Sequence, residues 1–191
     1  MAVERQRGQR ADAVRNRERL LAVAVDAFTH DTDDVTMESI ARRAGVGIGT
    51  LYRHFPTRDA LAAAAYRHEV EQVCRAADAL LSECPADVAL RQWMERFVDY
   101  VATKKGMIGA LQAVVEADSS FFADQFAQIV GALDALLRAG VEQGVLRADV
   151  DARDVLRAMR GAWLVTDEQH RADQAGRLLD LLMDGLRYGA S

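Results

Sequence analysis

Thr50, Tyr52, Arg53 and His54 follow one another closely in a stretch whose opposite side carries Leu51 and Phe55, four residues apart. A hydroxyl, a phenol, a guanidinium and an imidazole can all donate hydrogen bonds to phosphate oxygens or to base edges. Just upstream, Gly47 and Gly49 flank Ile48 and keep the start of the stretch slim, so that backbone amides at a helix N-terminus can approach a phosphate. Arg42 and Arg58 bracket the segment with further positive charge. Equipment for catalysis is not evident. Cys74 and Cys84 stand at neither a metal-ligand nor a CxxC spacing, and His30, His54, His68 and His170 form no HExxH pattern. The chain shows no phosphate-binding glycine loop and no nucleophile elbow. The expectation is therefore a non-enzymatic protein with no metal and no cofactor.

Two short helices hinged at Gly45 would position these side chains. Ile40, Ala41 and Ala44 share one face of the first, and Leu51 and Phe55 share one face of the second. Ala41 is small enough to let the helix axes cross closely, Gly45 can take the positive φ of a sharp helix end, and Val46 would plug the corner. This is helix-turn-helix spacing, which lays its second helix in the major groove of duplex DNA. On the hinge alone, a plain helical hairpin inside an all-α core remains an equal alternative.

Charge is distributed in favour of the DNA reading. The whole chain is acidic, with 24 Lys+Arg against 29 Asp+Glu and a formal net charge of -5. Yet Arg5, Arg7, Arg10, Arg15, Arg17 and Arg19 cluster at the N-terminus, and Arg42, Arg43, Arg53 and Arg58 surround the hinge. A locally basic head on an acidic body suits a small nucleic-acid-binding module carried by a part that does not bind DNA.

The run Ile40-Ala41-Arg42-Arg43-Ala44-Gly45-Val46-Gly47-Ile48-Gly49-Thr50-Leu51-Tyr52-Arg53-His54-Phe55, followed by Pro56-Thr57-Arg58-Asp59-Ala60-Leu61, resembles the N-terminal domain of the tetracycline-repressor (TetR) family of bacterial transcriptional regulators. The resemblance covers roughly residues 10 to 65, including a first helix with Leu20, Leu21, Ala24, Val25 and Phe28 on one stripe. It implies that Thr36 begins the second helix and touches a phosphate, with Glu38 in the first turn, where a carboxylate suits the helix dipole. It also implies a recognition helix from about Gly47 to Phe55. The DNA contacts carried over are Thr36, Arg42, Gly47, Ile48, Thr50, Tyr52, Arg53, His54 and Arg58. Arg58 stands where the family usually has Lys, and either cation suits a phosphate. Gly47 stands where many members have Ser, so any bond there must come from the backbone.

Beyond the head, the chain reads as helical throughout. Few β-branched runs, abundant Ala and Leu and only 2 Pro argue against strands. Thr57 is placed to cap a fourth helix running to about Glu83, which Cys84-Pro85 ends. Spacing then predicts helices over 86–103, 107–117, 120–143, 152–165 and 172–187, with Lys104-Lys105-Gly106 closing the first of them. The fold class expected is all-α: residues 1–65 form a three-helix helix-turn-helix DNA-binding domain with an Arg-rich arm, and 66–191 a helical domain for ligand binding and dimerisation. No apolar run reaches the ~18 residues of a membrane span and no secretory signal opens the chain, so a cytoplasmic location is expected.

The large side chains of the body read first as core. By resemblance, its central helices enclose an effector cavity, with Trp93, Phe97, Tyr100, Phe122 and Trp163 as walls and Gln112 or Glu116 as a polar partner. The last two helices carry Val155, Leu156, Met159, Ala162 and Trp163, then Leu178, Leu179, Leu181, Leu182 and Leu186, more apolar surface than one helix pair easily hides. A partner chain would cover it. The resemblance implies a homodimer joined there as a four-helix bundle, a palindromic operator, and repression relieved by a small-molecule effector.

Overall fold

The structure is a computed structural model that describes residues 2–30, 35–164 and 171–190, with the backbone alone for residues 2–11, 13, 162–164 and 171–172. Those residues form eight helices, α1 (Ala2–His30), α2 (Met37–Arg43), α3 (Ile48–His54), α4 (Arg58–Glu83), α5 (Ala86–Ala117), α6 (Phe121–Glu142), α7 (Ala152–Leu164) and α8 (Arg171–Arg187). The chain divides into two compact units, Met1–Glu69 with Thr103–Phe121, and Val70–Ala102 with Phe122–Ser191.

In the first unit, Leu20, Leu21, Ala24, Ala27 and Phe28 of α1 are buried together with Ile40, Ala41, Ala44, Leu51 and Phe55, the apolar faces required by the spacing of these residues. Val25, on the expected stripe, is half-buried, and Ala27 takes a core position. Thr36 sits in extended backbone (φ -94, ψ 154) and its Oγ1 accepts from the Ser39 amide at 3.1 Å, capping α2. At the other end Gly45 adopts φ 65, and the amides of Gly45 and Val46 donate to Arg42 and Ala41 carbonyls, closing the helix in a Schellman motif. Thr57 Oγ1 accepts from the Ala60 amide at 3.0 Å and opens α4, as its position foretells.

One boundary differs from expectation. Lys104-Lys105-Gly106 does not end a helix, because α5 runs unbroken from Ala86 to Ala117. Gly106 is tolerated inside it for a packing reason: a Cβ there would lie 2.6 Å from the Thr29 carbonyl oxygen, so only a bare backbone fits against the end of α1. Nearby, the Lys104 ammonium sits 5.8 Å from the centre of the Tyr66 ring, which binds this turn of α5 to α4.

The second unit is built on Trp93, Met94, Phe97, Leu133, Leu136, Leu156, Met159, Leu179 and Met183, all buried. Trp93 Nε1 donates to the Val73 carbonyl at 2.9 Å, satisfying the one polar atom of that side chain. Gln143, beyond α6, accepts from the Ala86 amide at 2.9 Å and caps α5 from a distance in sequence. Arg91 bonds Asp180 at 2.7 Å and Arg187 bonds Asp87 at 2.6 Å, fastening α8 to α5. Of the expected polar connection at 166–171, residues 166–170 lie outside the described residues. Among the described residues, no helix is long and apolar enough to cross a membrane.

Candidate nucleic-acid interface

The helix α3 is short, and its two sides differ sharply. Leu51 is fully buried and Phe55 is 3% exposed, whereas Ile48 is 39% and Tyr52 44% exposed. Gly47 and Arg53 are exposed, and Thr50 and His54 half-buried. Gly47 serves as N-cap with no side-chain bond, and its carbonyl accepts from the Thr50 amide at 2.8 Å. A Cβ at Gly47 or Gly49 would meet nothing within 4 Å, so the interior of the protein does not demand glycine at either place. The room they leave is on the outside, where a bulky partner can come close to the backbone.

The arginines around this face divide into two groups. Arg19 donates to the Ala44 carbonyl at 3.5 Å, Arg17 lies 5.5 Å from the centre of the Phe55 ring, and Arg43 pairs with Asp26. These hold the corner and the end of α3 against α1. Arg58 stacks 5.0 Å from the centre of the Phe28 ring while its Nε donates to the Val35 carbonyl at 3.3 Å, which holds a cation beside the entry to α2. Arg53 Nε donates to the Gly49 carbonyl at 3.1 Å, folding the side chain along α3. Arg42 and Thr36 are exposed on α2 and at its cap. The nine positions expected to meet DNA thus all fall in the first unit, on α2, α3, their caps and the first residue of α4. Sequence reasoning missed the internal duties of Arg17 and Arg19, since a contact between α1 and a residue tens of positions onward leaves no periodic trace. The side chains of Arg5, Arg7 and Arg10 lie outside the described residues.

The seven positions expected to line an effector cavity are divided between the two units. Trp93 and Phe97 stack at 5.6 Å between ring centres, and Phe97 meets Tyr100 at 5.8 Å, forming an aromatic ladder within the second unit. Phe122 is half-buried in the same unit. Gln112 and Glu116 belong to the first unit and are exposed, with Gln112 Nε2 donating to Glu116 Oε1 at 3.0 Å. The Trp163 side chain lies outside the described residues. Gln125, which sequence reasoning passed over, is a buried polar side chain of the second unit at 6% exposure. A groove of about 730 Å³ opens between α7 and α8, its lining including Asp154, Ala158, Gly161, Leu178, Leu182 and Gly185.

Comparison with known proteins places this geometry in context. Residues 20–65 match the family described as bacterial regulatory proteins, tetR family, and residues 85–188 match the SbtR-like transcriptional regulator C-terminal domain. The crystal structure of the TetR transcriptional regulator SCO0520 from Streptomyces coelicolor is similar at 45% identity, covering 91% of this chain and 99% of that one, with a TM-score of 0.84. The TetR transcription regulatory protein from Mycobacterium vanbaalenii is similar at 34% identity over 94% of this chain and 99% of that one, with a TM-score of 0.75. Among curated relatives, the HTH-type transcriptional regulator SAR0097 of Staphylococcus aureus is 36% identical over 80 residues, 41% of this chain and 42% of its own. HTH-type transcriptional regulator SAB2452 of the same species is 40% identical over 53 residues, 29% of its length. The chain therefore spans less than half of the curated relatives it matches.

Proposed function

The chain belongs to the TetR family of bacterial transcriptional regulators, and from that premise we propose that it is a homodimeric repressor, released from a palindromic operator when a small molecule binds its body. Regulators of this family are DNA-binding proteins and not enzymes. The observation that carries the DNA half of the reading is the outward face of α3, where Ile48 and Tyr52 are exposed beside two glycines that have no internal reason to be small. Thr36, Arg42, Gly47, Ile48, Thr50, Tyr52, Arg53, His54 and Arg58 are the proposed contacts. Tyr52, Thr50 and His54 reach base edges and sugar; Arg42, Arg53, Arg58 and Thr36 neutralise or bond phosphates; Gly47 contributes its backbone amide.

The dimer half rests on the groove between α7 and α8 and on Leu181 at its side, 68% exposed on a single chain. A second copy covering it builds a four-helix bundle, holding two heads for half-sites about 34–36 Å apart or a small multiple. The effector is received in the second unit beside Trp93, Phe97, Tyr100, Phe122 and Trp163, and its binding shifts α4 so that both heads no longer fit. Such a protein acts in the cytoplasm. A coupling of a few kcal/mol is enough for release, since each tenfold change in affinity corresponds to about 1.4 kcal/mol.

Selection of bound fragments from random duplex DNA by the purified protein tests the reading directly. A recovered palindrome bound in a salt-sensitive manner is expected. Equal affinity for every duplex, with no sequence recovered, overturns it.

A further inference from the structure

Gly106 sits in the interior of α5, where glycine is a poor helix former. Space demands it here. A Cβ at Gly106 would lie 2.6 Å from the Thr29 carbonyl oxygen, 2.8 Å from its Cγ2 and 2.9 Å from its Cα, two of these three being backbone atoms that no rotamer change can move. The next glycine of the same helix, Gly109, has nothing within 4 Å of an equivalent Cβ, so the tightness belongs to this contact and not to the helix. Thr29 supplies a second sign: its Oγ1 is buried and has no hydrogen-bond partner among the described residues. Desolvating a hydroxyl without a partner is unfavourable, and this one belongs to the residue that meets Gly106.

Which helix would yield can be read from the neighbouring contacts. Tyr66 of α4 meets the Phe121 ring at 5.5 Å, Arg67 lies 4.9 Å from the centre of that ring, and Lys104 of α5 lies 5.8 Å from the centre of the Tyr66 ring. These tie α4, α5 and the start of α6 together around the Gly106 turn. Gly106 itself meets the last turn of α1, and α1 ends at His30, shortly before Thr36 caps α2. A side chain at 106 therefore pushes α1, and with it the helix pair, by about 1 Å before atoms regain the ~3.5 Å of ordinary contact.

We propose that Gly106 is a positioning residue for operator recognition: its bare backbone is the seat on which the end of α1 rests, and the depth of that seat fixes where the DNA-reading helices are held. This rests on the repressor reading above and adds a residue outside the DNA-binding face to it. In a dimer whose two heads must meet two half-sites at once, a displacement of each seat is felt on the full palindrome, while either head by itself reads a half-site as before.

The test compares the wild-type dimer, Gly106→Ala and Gly109→Ala on a selected full palindrome and on an isolated half-site duplex, by fluorescence anisotropy well below the melting temperature. Gly106→Ala is expected to weaken full-site binding tenfold or more while half-site affinity stays within twofold, and Gly109→Ala to match the wild type on both. Thr29→Ala, which removes the crowding methyl and the unpartnered hydroxyl without inserting an atom, is expected to fold and to lose threefold or more on the full site alone; it decides the matter if Gly106→Ala does not fold. Unchanged full-site binding, or equal losses on full and half sites as a damaged head would give, overturns the inference. A wild type that selects no operator overturns the repressor reading and this inference together, whereas a binding wild type with unaffected variants overturns this one alone.

Discussion

Arg53 and Arg17 carry the same charge a short distance apart in the head, and the structure gives them different work. Arg53 is exposed on α3 with its Nε bonded to the Gly49 carbonyl, leaving the terminal nitrogens unclaimed among the described residues. Arg17 lies over the Phe55 ring at the end of α3. Arg53→Ala should leave thermal stability unchanged and reduce the slope of log affinity against log salt by about 1 for each phosphate that the guanidinium neutralised. Arg17→Ala should instead lower the melting temperature, since an exposed cation–π contact contributes roughly 0.5–1 kcal/mol. Calorimetry beside a salt titration of operator binding distinguishes the two; the same response from both variants would refute the division. The sequence made the basic head legible as a whole but not this split. Charge is visible in one dimension, whereas the ring beneath Arg17 and the carbonyl beneath Arg19 come from folding. Gly45 was legible because its need for positive φ is local, and at φ 65 it behaves as its context requires.

At the level of elements, local signals succeed where they are chemically decisive. Cys84-Pro85 ends α4 because proline lacks an amide and restricts the residue before it, and Thr57 opens that helix because its hydroxyl meets the Ala60 amide. Lys104-Lys105-Gly106 misleads, since it imitates a helix end while its glycine answers a contact with α1 that no window of sequence contains. The candidate effector walls are legible only in part for a related reason. Aromatic spacing identifies a buried stripe but not whether it encloses a void, and Gln112 and Glu116 follow that stripe in sequence only to emerge exposed in the other unit. Within α4, burial pushes the Glu69 carboxyl above its ordinary value of 4.5. A raised carboxyl pKa means that the folded state holds its proton more firmly than the unfolded chain does. Stability therefore falls as pH rises from the ordinary carboxyl value through the raised folded value, above which the penalty is complete. Glu69→Gln should raise the melting temperature at pH 7 by roughly 1–3 °C, with the gap closing as pH approaches 4. A gap that persists in acid would mean that Gln stabilises by contact and not by relieving a buried charge.

Across the whole molecule, the two ends of the chain answer to different demands: a head that must present polar side chains to DNA, and a pair of helices that leaves apolar side chains uncovered. Leu181 is 68% exposed in a groove that Ala158, Gly161 and Gly185 also line, so a single chain carries both an uncovered apolar side chain and small residues able to receive one. Large apolar groups in such a setting mark association surfaces, and a two-fold axis lets the same patch serve both partners. Leu181→Arg would place a guanidinium where a second copy is proposed to pack. Because Leu181 contributes little to the core of its own chain, and because Arg91 with Asp180 and Arg187 with Asp87 continue to fasten α8, the variant should remain helical. Its dimer should nevertheless weaken about thirtyfold or more, the effect of losing an interface hot spot of ~2 kcal/mol. Sedimentation at micromolar protein is expected to give a dimer for the wild type and a monomer for the variant. Operator binding should then lose the gain that comes from two linked heads, falling toward half-site affinity. A variant that stays dimeric and grips the full palindrome as firmly as the parent would show that this face of α7 and α8 is not where the two copies meet.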